Sequence, residues 1–319
     1  MSASSASGRF LALCGGVGGA KLALGLTRVL PPERLLVVGN SGDDFEHLGL
    51  HVSPDLDTVM YTLAGLANPE TGWGLAGETW GFLAALERLG AETWFRLGDH
   101  DLATHVERTR RLRAGDTLSA ITADLSRALG VATPLAPMSD QPVRTVVETA
   151  DGDLAFQVYF VRERCAPAVR RLRFEGAAEA RPSPAFAAAL ADPALEAVVI
   201  CPSNPYLSVD PILAVPGVLD GLRASAAPVV AVSPIVGGRA IKGPTAKIMA
   251  ELGVPASAVE VARRYRELGI LDRWVLDEQD RALAPAVEAL GVEVSVAPTV
   301  MLSLEDKVRL ARRLVERVA

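Results

Sequence analysis

The chain has 319 residues, half of them hydrophobic and 22% charged, with a net charge of −6. This composition supports a large folded core and excludes a disordered chain. With no run of Lys or Arg, the acidic balance also argues against a nucleic-acid or anionic-membrane surface.

The first eight residues are small and polar with no apolar segment, so no signal peptide is expected. No stretch approaches the ~20 apolar residues of a membrane span. Cys14, Cys165 and Cys201 have neither CxxC spacing nor clustered histidines. They argue against a disulfide framework or zinc site and suit a reducing, cytoplasmic compartment.

Arg9 to Cys14 is an apolar run of strand length, broken by Gly15 to Gly19. Ala20 to Leu30 then carries Leu22, Leu26 and Leu30 at helical spacing, until Pro31-Pro32 stops it. A second strand, Leu35 to Gly39, runs into Asn40-Ser41-Gly42-Asp43-Asp44, completing a βαβ unit. Four helical patterns follow over 55–66, 78–89, 101–112 and 116–129. A hairpin is then expected from 144–149 and 154–161 around Asp151-Gly152-Asp153. Residues of about 55–180 read as an inserted, largely helical subdomain. Strands return at 197–201, 228–232, 274–276 and 292–296, with a last helix over 304–318. Strand–helix alternation at both ends predicts a single α/β domain over 1–319, a doubly wound, mostly parallel Rossmann-like sheet.

Ligands of such sheets bind beyond the carboxyl ends of the strands. Gly15-Gly16-Val17-Gly18-Gly19-Ala20-Lys21 sits at one such end. Four glycines in five residues exceed what a turn requires, so backbone N–H groups and a helix N-terminus are expected to receive phosphate there. The stretch is neither a Walker A loop nor a complete GxGxxG. The second loop, with Asp43, Asp44 and downstream Asp57, offers carboxylates suited to a hard cation or to acceptor chemistry; Asp55 reads mainly as a helix cap. In the third, Leu97 to His105, spacing alone suggests only a solvated loop capped by Asp101. Ser203-Asn204-Pro205 and the stretch from Gly237 to Gly243 suit a base or a second phosphate, with Lys242 and Arg239 as candidate partners. Trp73, Trp80, Trp94 and Phe95 read as ordinary core of the insertion, or as a surface for a flavin-like ring.

Taken together, GGVGGAK (15–21), NSGDD (40–44), SPDLDTVMY (53–61), LGDHDLATH (97–105), PMSD (137–140), PSNP (202–205) and SPI (233–235) resemble the 2-phospho-L-lactate transferase family. They occur in that family's order and span nearly the whole chain. The resemblance implies a transferase of coenzyme F-420 synthesis. Its donor is a phospho-carboxylic acid linked to GDP, carrying phospholactate, phosphoenolpyruvate or phosphoglycerate. Its acceptor is the ribityl hydroxyl of the deazaflavin Fo, and GMP is released. Mg²⁺ and a homodimer are also implied. Carried over by residue, Asp43 and Asp57 are metal ligands, and Asp43, Asp44 and Asp57 are catalytic. Gly15, Gly16, Val17, Gly18, Gly19, Lys21, Asn40, Ser41, Gly42, Ser203, Asn204, Pro234 and Lys242 hold substrate. Arg96, Gly98, Asp99, His100 and Asp101 serve the acceptor, within the 55–180 subdomain. His100 stands where many relatives have Arg, exchanging a permanent charge for a titratable one. The competing reading is a non-catalytic nucleotide-sugar-binding regulator with a similar glycine turn. A nicotinamide dehydrogenase fails for want of a third glycine and of an acidic residue closing the second strand.

Overall fold

A computed structural model describes residues 8–317. Met1 to Ser7, within the stretch read above for a signal peptide, and Val318, at the end of the expected final helix, lie outside the described residues. In chain order, β1 (Arg9–Cys14), α1 (Gly16–Thr27) and β2 (Leu35–Gly39) form the βαβ unit. A short ribbon, β3 (Phe45–His47) and β4 (Leu50–Val52), leads to helices α2 (Pro54–Ala64), α3 (Gly81–Arg88), α4 (Asp99–Arg113) and α5 (Leu118–Ala128). Then come β5 (Leu135–Pro137), β6 (Arg144–Thr149), β7 (Gly152–Ala155), β8 (Arg171–Glu175) and α6 (Pro184–Leu190). The second half continues with β9 (Leu195–Ile200), α7 (Asp210–Leu213), α8 (Val218–Ala224), β10 (Val229–Val232) and a ribbon of β11 (Ile235–Val236) and β12 (Arg239–Ala240). Finally, α9 (Thr245–Glu251), α10 (Ala258–Glu267), β13 (Arg273–Asp277), α11 (Ala284–Glu288), β14 (Glu293–Ala297) and α12 (Leu304–Glu316) close the chain.

Seven strands form one parallel sheet in the order β14-β13-β10-β9-β1-β2-β5. The chain leaves β1 toward β2 and β5, then returns to lay β9 on the other side of β1. Strand order therefore reverses between β1 and β9, which opens a crevice at their carboxyl ends. Each face carries its own core. On β1, Leu11 and Leu13 face one core, while Phe10, Ala12 and Cys14 face the other. Burial on both faces explains why this strand reads as a continuous apolar run rather than an alternating one.

Three expectations change. The helix expected from Ala20 starts at Gly16, so the glycines form its first turns. A Cβ on Gly18 would collide with the carbonyl oxygen of Pro202, and one on Gly19 with Ser203 Oγ. These glycines let α1 approach the loop after β9, a demand invisible in a local pattern. Second, the 55–180 stretch is not a separable insertion, because β5 pairs with β2 at the edge of the central sheet. Three residues are too few for a periodicity signal. Third, the expected hairpin is part of a three-stranded sheet, β7-β6-β8. Its second strand stops at Ala155, and Val158–Arg162 forms a π-helical turn instead. Among the described residues, no helix is long and apolar enough to cross a membrane.

Candidate functional site

The crevice between β1 and β9 opens into a cavity of about 730 Å³. Its floor is the start of α1 (Gly15 to Gly18 and Lys21) together with Pro202, Ser203 and Asn204 after β9. Ser203 Oγ accepts from Gly15 N at 3.0 Å, tying the two loops together. Asn204 caps the following turn, its Oδ1 accepting from Tyr206 N and Leu207 N.

Acidic groups crowd one side. Asp55 does not cap its own helix; its Oδ1 accepts from Gly16 N at 2.6 Å, capping α1. Its Oδ2 accepts from Asn40 Nδ2 at 3.0 Å and Ser208 Oγ at 3.1 Å. Burial raises the Asp55 carboxyl from its ordinary 3.8 to about 6, against these bonds. Asp43 is less well satisfied: its contacts are Asn40 Nδ2 at 3.3 Å and Gln157 Nε2 at 3.4 Å. Burial first, then the neighbouring Asp55 and Asp44, pushes its carboxyl well above the usual range. A buried carboxylate with only long hydrogen bonds, on a cavity wall, is a ready ligand for a hard cation.

Further along the wall, Asp57 is gripped by Arg108 from α4. Nη1 donates to Oδ2 at 3.1 Å and Nη2 to Oδ1. Arg108 is 1% exposed, so this is a buried ion pair. His105 lies against both, with Nδ1 at 3.3 Å from Arg108 Nη1, and with Nε2 at 3.3 Å from Asp101 Oδ2. Tyr61 Oη donates to Asp101 Oδ1 at 2.6 Å. Burial pushes Asp57 up in spite of Arg108, while Asp101, half-buried, is held below its usual range by His105 and Tyr61 against its desolvation. Asp57, Asp101 and His105 place one ligand atom each within 4.8 Å of one another. Arg108 already neutralises that group. Each carboxylate oxygen has two lone pairs, so Asp57 can hold Arg108 and still face a cation.

The remaining walls are aromatic and cationic. Trp94 and Phe95 pack with Phe45 and His47, and all but Phe45 and His47 of that group line the cavity. Trp73 lines it too, 44% exposed, and Phe156 and Phe160 stack with ring centroids 5.4 Å apart. Arg96 lies 4.2 Å over the Trp80 ring. Lys21 Nζ donates to Met301 O, and burial, with Lys242 nearby, lowers its pKa. Lys242 Nζ donates to Thr71 O.

The family model described as "2-phospho-L-lactate transferase CofD" matches residues 10–303. The chain belongs to this family. It is 40% identical over 310 residues to a protein of Kitasatospora aureofaciens named "Phosphoenolpyruvate transferase", covering 95% of this chain and 96% of that one. It is 39% identical over 302 residues to "2-phospho-L-lactate transferase" of Methanosarcina mazei, covering 95% and 98%. The fold also matches the crystal structure of a UPF0052 family member from Bacillus halodurans, with a TM-score of 0.65 at 15% identity over 97% of this chain and 99% of that one.

In this CofD family member the expected site residues divide into two groups. Gly15, Gly16, Val17, Gly18, Lys21, Asp43, Asp57, Arg96, Asp101, Ser203, Asn204, Pro234 and Lys242 come together around the cavity. Others stand behind it. Gly19 packs on Ser203. Asn40 is buried and orients Asp43, Asp55 and, through its Oδ1, Gly42 N. Ser41 and Gly42 are buried outside the cavity lining. Asp44, expected to be catalytic, does not reach the cavity; its Oδ2 accepts from Ser53 Oγ at 2.8 Å and contacts His51 Nε2 at 3.0 Å. Gly98, Asp99 and His100 also lie outside. Asp99 caps α3 through Gly81 N and Phe82 N, and Glu78 caps α4 through His100 N and Asp101 N. The start of α4 and the segment before α3 thus cap one another's helix, and the His100 side chain is 63% exposed beside Glu78. Of the four aromatic residues read as core of the insertion or as a ring surface, Trp80 sits under Arg96, and Trp73, Trp94 and Phe95 line the cavity.

Sequence reasoning missed Asp55, Tyr61, His105, Arg108, Gln157 and the Phe156–Phe160 pair. Asp55, Tyr61 and His105 lie within the motifs at 53–61 and 97–105, and Arg108 carried a signal of its own, an Arg three residues after His105 on one helix face. The Asp55 geometry predicts a pH effect. A carboxyl raised to about 6 stabilises the fold below its unfolded value and loses that contribution as pH rises through 6. The stability of Asp55→Asn relative to the parent is therefore expected to improve by on the order of 2 kcal/mol between about pH 4 and about pH 7. Thermal unfolding without ligand checks this, and a pH-independent difference rules it out.

Proposed function

We propose that this protein moves a phospho-carboxylic acid from a GDP-linked donor to the primary hydroxyl of the deazaflavin Fo, releasing GMP, in coenzyme F-420 synthesis. The observation that carries this reading is one cavity holding both halves of the reaction. A glycine-lined helix start with Ser203 and Asn204 faces a carboxylate pair, Asp43 and Asp57, beside an aromatic wall. A regulator that only binds nucleotide has no use for the second half.

The donor's phosphates rest at the α1 N-terminus, with Lys21 and Lys242 supplying positive charge. Asp43 and Asp57 are the residues that would hold Mg²⁺, which when bound neutralises charge on the phosphates. The Fo hydroxyl oxygen attacks the phosphorus bearing the acid, and the bond from that phosphorus to the GMP oxygen breaks. Positioning and charge neutralisation are the main requirements of such a transfer. Asp57 is better suited than Asp101 to take the hydroxyl proton, because burial raises the first while hydrogen bonds hold down the second. The aromatic wall of Trp73, Trp94 and Phe95 offers faces for the deazaflavin ring. A cytoplasmic location and a homodimer belong to the same proposal.

The test is Fo binding, followed by its fluorescence, with Mg²⁺ and GDP present, and then transfer with a GDP-linked acid. Saturable binding that Asp57→Asn weakens, with turnover lost on Mg²⁺ removal, supports the transferase. An unchanged Mg²⁺ requirement in that variant assigns Asp57 to the proton, and a raised one assigns it to the metal. Tight GDP binding with no Fo binding rejects the proposal.

A further inference from the structure

Among the described residues, one basic side chain lining the cavity has no partner. Of the basic residues lining it, Lys21 is bonded to Met301 O, Lys242 to Thr71 O, and Arg96 lies over Trp80. Arg164 also lines the cavity, but among the described residues its guanidinium has no carboxylate, carbonyl or aromatic partner. Its backbone is held in an unfavourable conformation. Arg164 and Cys165 have φ of 50° and 57°, the left-handed region that non-glycine residues avoid. Two consecutive residues of this kind follow the π-helical turn Val158–Arg162, and both features concentrate at functional sites.

The surroundings keep this loop in place. Cys165 N donates to Tyr159 O at 2.9 Å, Ala166 N to Glu163 O at 2.9 Å, and Lys247 Nζ to Pro167 O at 3.0 Å. The loop belongs to the same wall as Gln157, whose Nε2 is 3.4 Å from Asp43 Oδ2. A strap thus runs from Asp43, which the proposal above places beside the reacting phosphate, to an unpartnered guanidinium on the cavity wall. A group attached to that phosphate, and directed away from the α1 N-terminus, meets this strap.

We infer that Arg164 is the specificity-determining residue for the donor, binding the carboxylate of its three-carbon acid through paired N–H···O bonds. This rests on the donor proposed above. The planar fork of arginine matches a carboxylate in two parallel bonds, and none of the carboxylates that line the cavity pairs with it. The loop's backbone bonds fix where this side chain leaves the wall, and the unpartnered guanidinium orders on binding. The carboxylate is common to lactate-, enolpyruvate- and glycerate-type donors. Arg164 therefore selects acids over neutral groups and does not choose among the acids.

The experiment compares two donors with the full-length protein, Mg²⁺ and Fo: GDP-linked lactate, and GDP carrying an ethyl group on its terminal phosphate, which lacks the carboxylate. The parent is expected to prefer the acid donor in kcat/KM. Arg164→Gln is expected to lower kcat/KM on the acid donor by about 10- to 100-fold, mostly through KM, the scale of a charge-assisted bond. The value on the ethyl donor is expected to change less than about threefold, and Arg164→Lys to recover part of the preference. Because Arg164 is exposed, the variants are expected to fold, and their thermal unfolding verifies it. If Arg164→Gln keeps the parent's ratio between donors, or lowers both values equally, the assignment is wrong. If the parent transfers from neither donor, the transferase proposal itself fails.

Discussion

Replacing Arg108 by methionine is expected to destabilise the protein by about 3–5 kcal/mol, because it strands the Asp57 carboxylate in the interior. Asp57 is 4% exposed and Arg108 1%, so water reaching Asp57 from the cavity replaces the buried guanidinium only in part. His105 is the nearest remaining donor, with its Nδ1 at 3.7 Å from Asp57 Oδ2, too far for a full hydrogen bond. Methionine keeps much of the packed volume of the arginine stem, so the loss isolates the charge rather than a cavity. Urea unfolding of the single variant and of Arg108→Met/Asp57→Leu measures it. The double change removes both charges and is expected to recover most of the stability, although it abolishes turnover. A single-variant loss below about 1 kcal/mol, or a double variant no better than the single, would show that the pair is not strongly desolvated.

Asp43→Asn separates function from stability in the opposite sense. Turnover is expected to fall by about 1,000-fold, roughly 4 kcal/mol in the barrier, as charge neutralisation at the phosphate is lost. Stability without ligand is expected to hold or rise. Burial and the nearby Asp55 and Asp44 penalise the ionised Asp43, and an amide of the same shape escapes that penalty. GDP affinity without metal is expected to stay close to that of the parent, since the α1 N-terminus and Lys21 remain. Steady-state kinetics, a thermal melt and a GDP titration check the three statements. A turnover loss under tenfold would remove Asp43 from the reaction centre. A natural carboxylate whose charge weakens the resting fold is explained by what it binds, an inference that stands on its neighbours and not on its identity alone.

Local patterns in the sequence determined the βαβ start, the strand–helix alternation and the positions of the loops at strand ends. They did so because strand and helix periodicities are short-range properties, and because a strand buried on both faces must be apolar throughout. The glycine run, Asp43 and the Ser203–Asn204 loop, which line the cavity, stood out because small or acidic groups at strand ends have few structural uses; Asp57, on α2, stood out as a second carboxylate downstream. Tertiary structure decided which of them share the cavity. Asp43 and Asp44 are adjacent, yet only Asp43 lines it, since the chain turns Asp44 back toward His51 and Ser53. Asp55 reads as a cap on α2, and it is a cap, but on α1, 39 residues away. Asp99 and His100 lie in the most distinctive motif and serve a helix–helix joint. Arg108 and Arg164 carry no strand-end signature, so one helix contact and one strained turn were needed to find them. The physical reason is common to all of these. A side chain's chemistry is set by burial and by partners distant in sequence, and those are specified only when the sheet brings its carboxyl ends together.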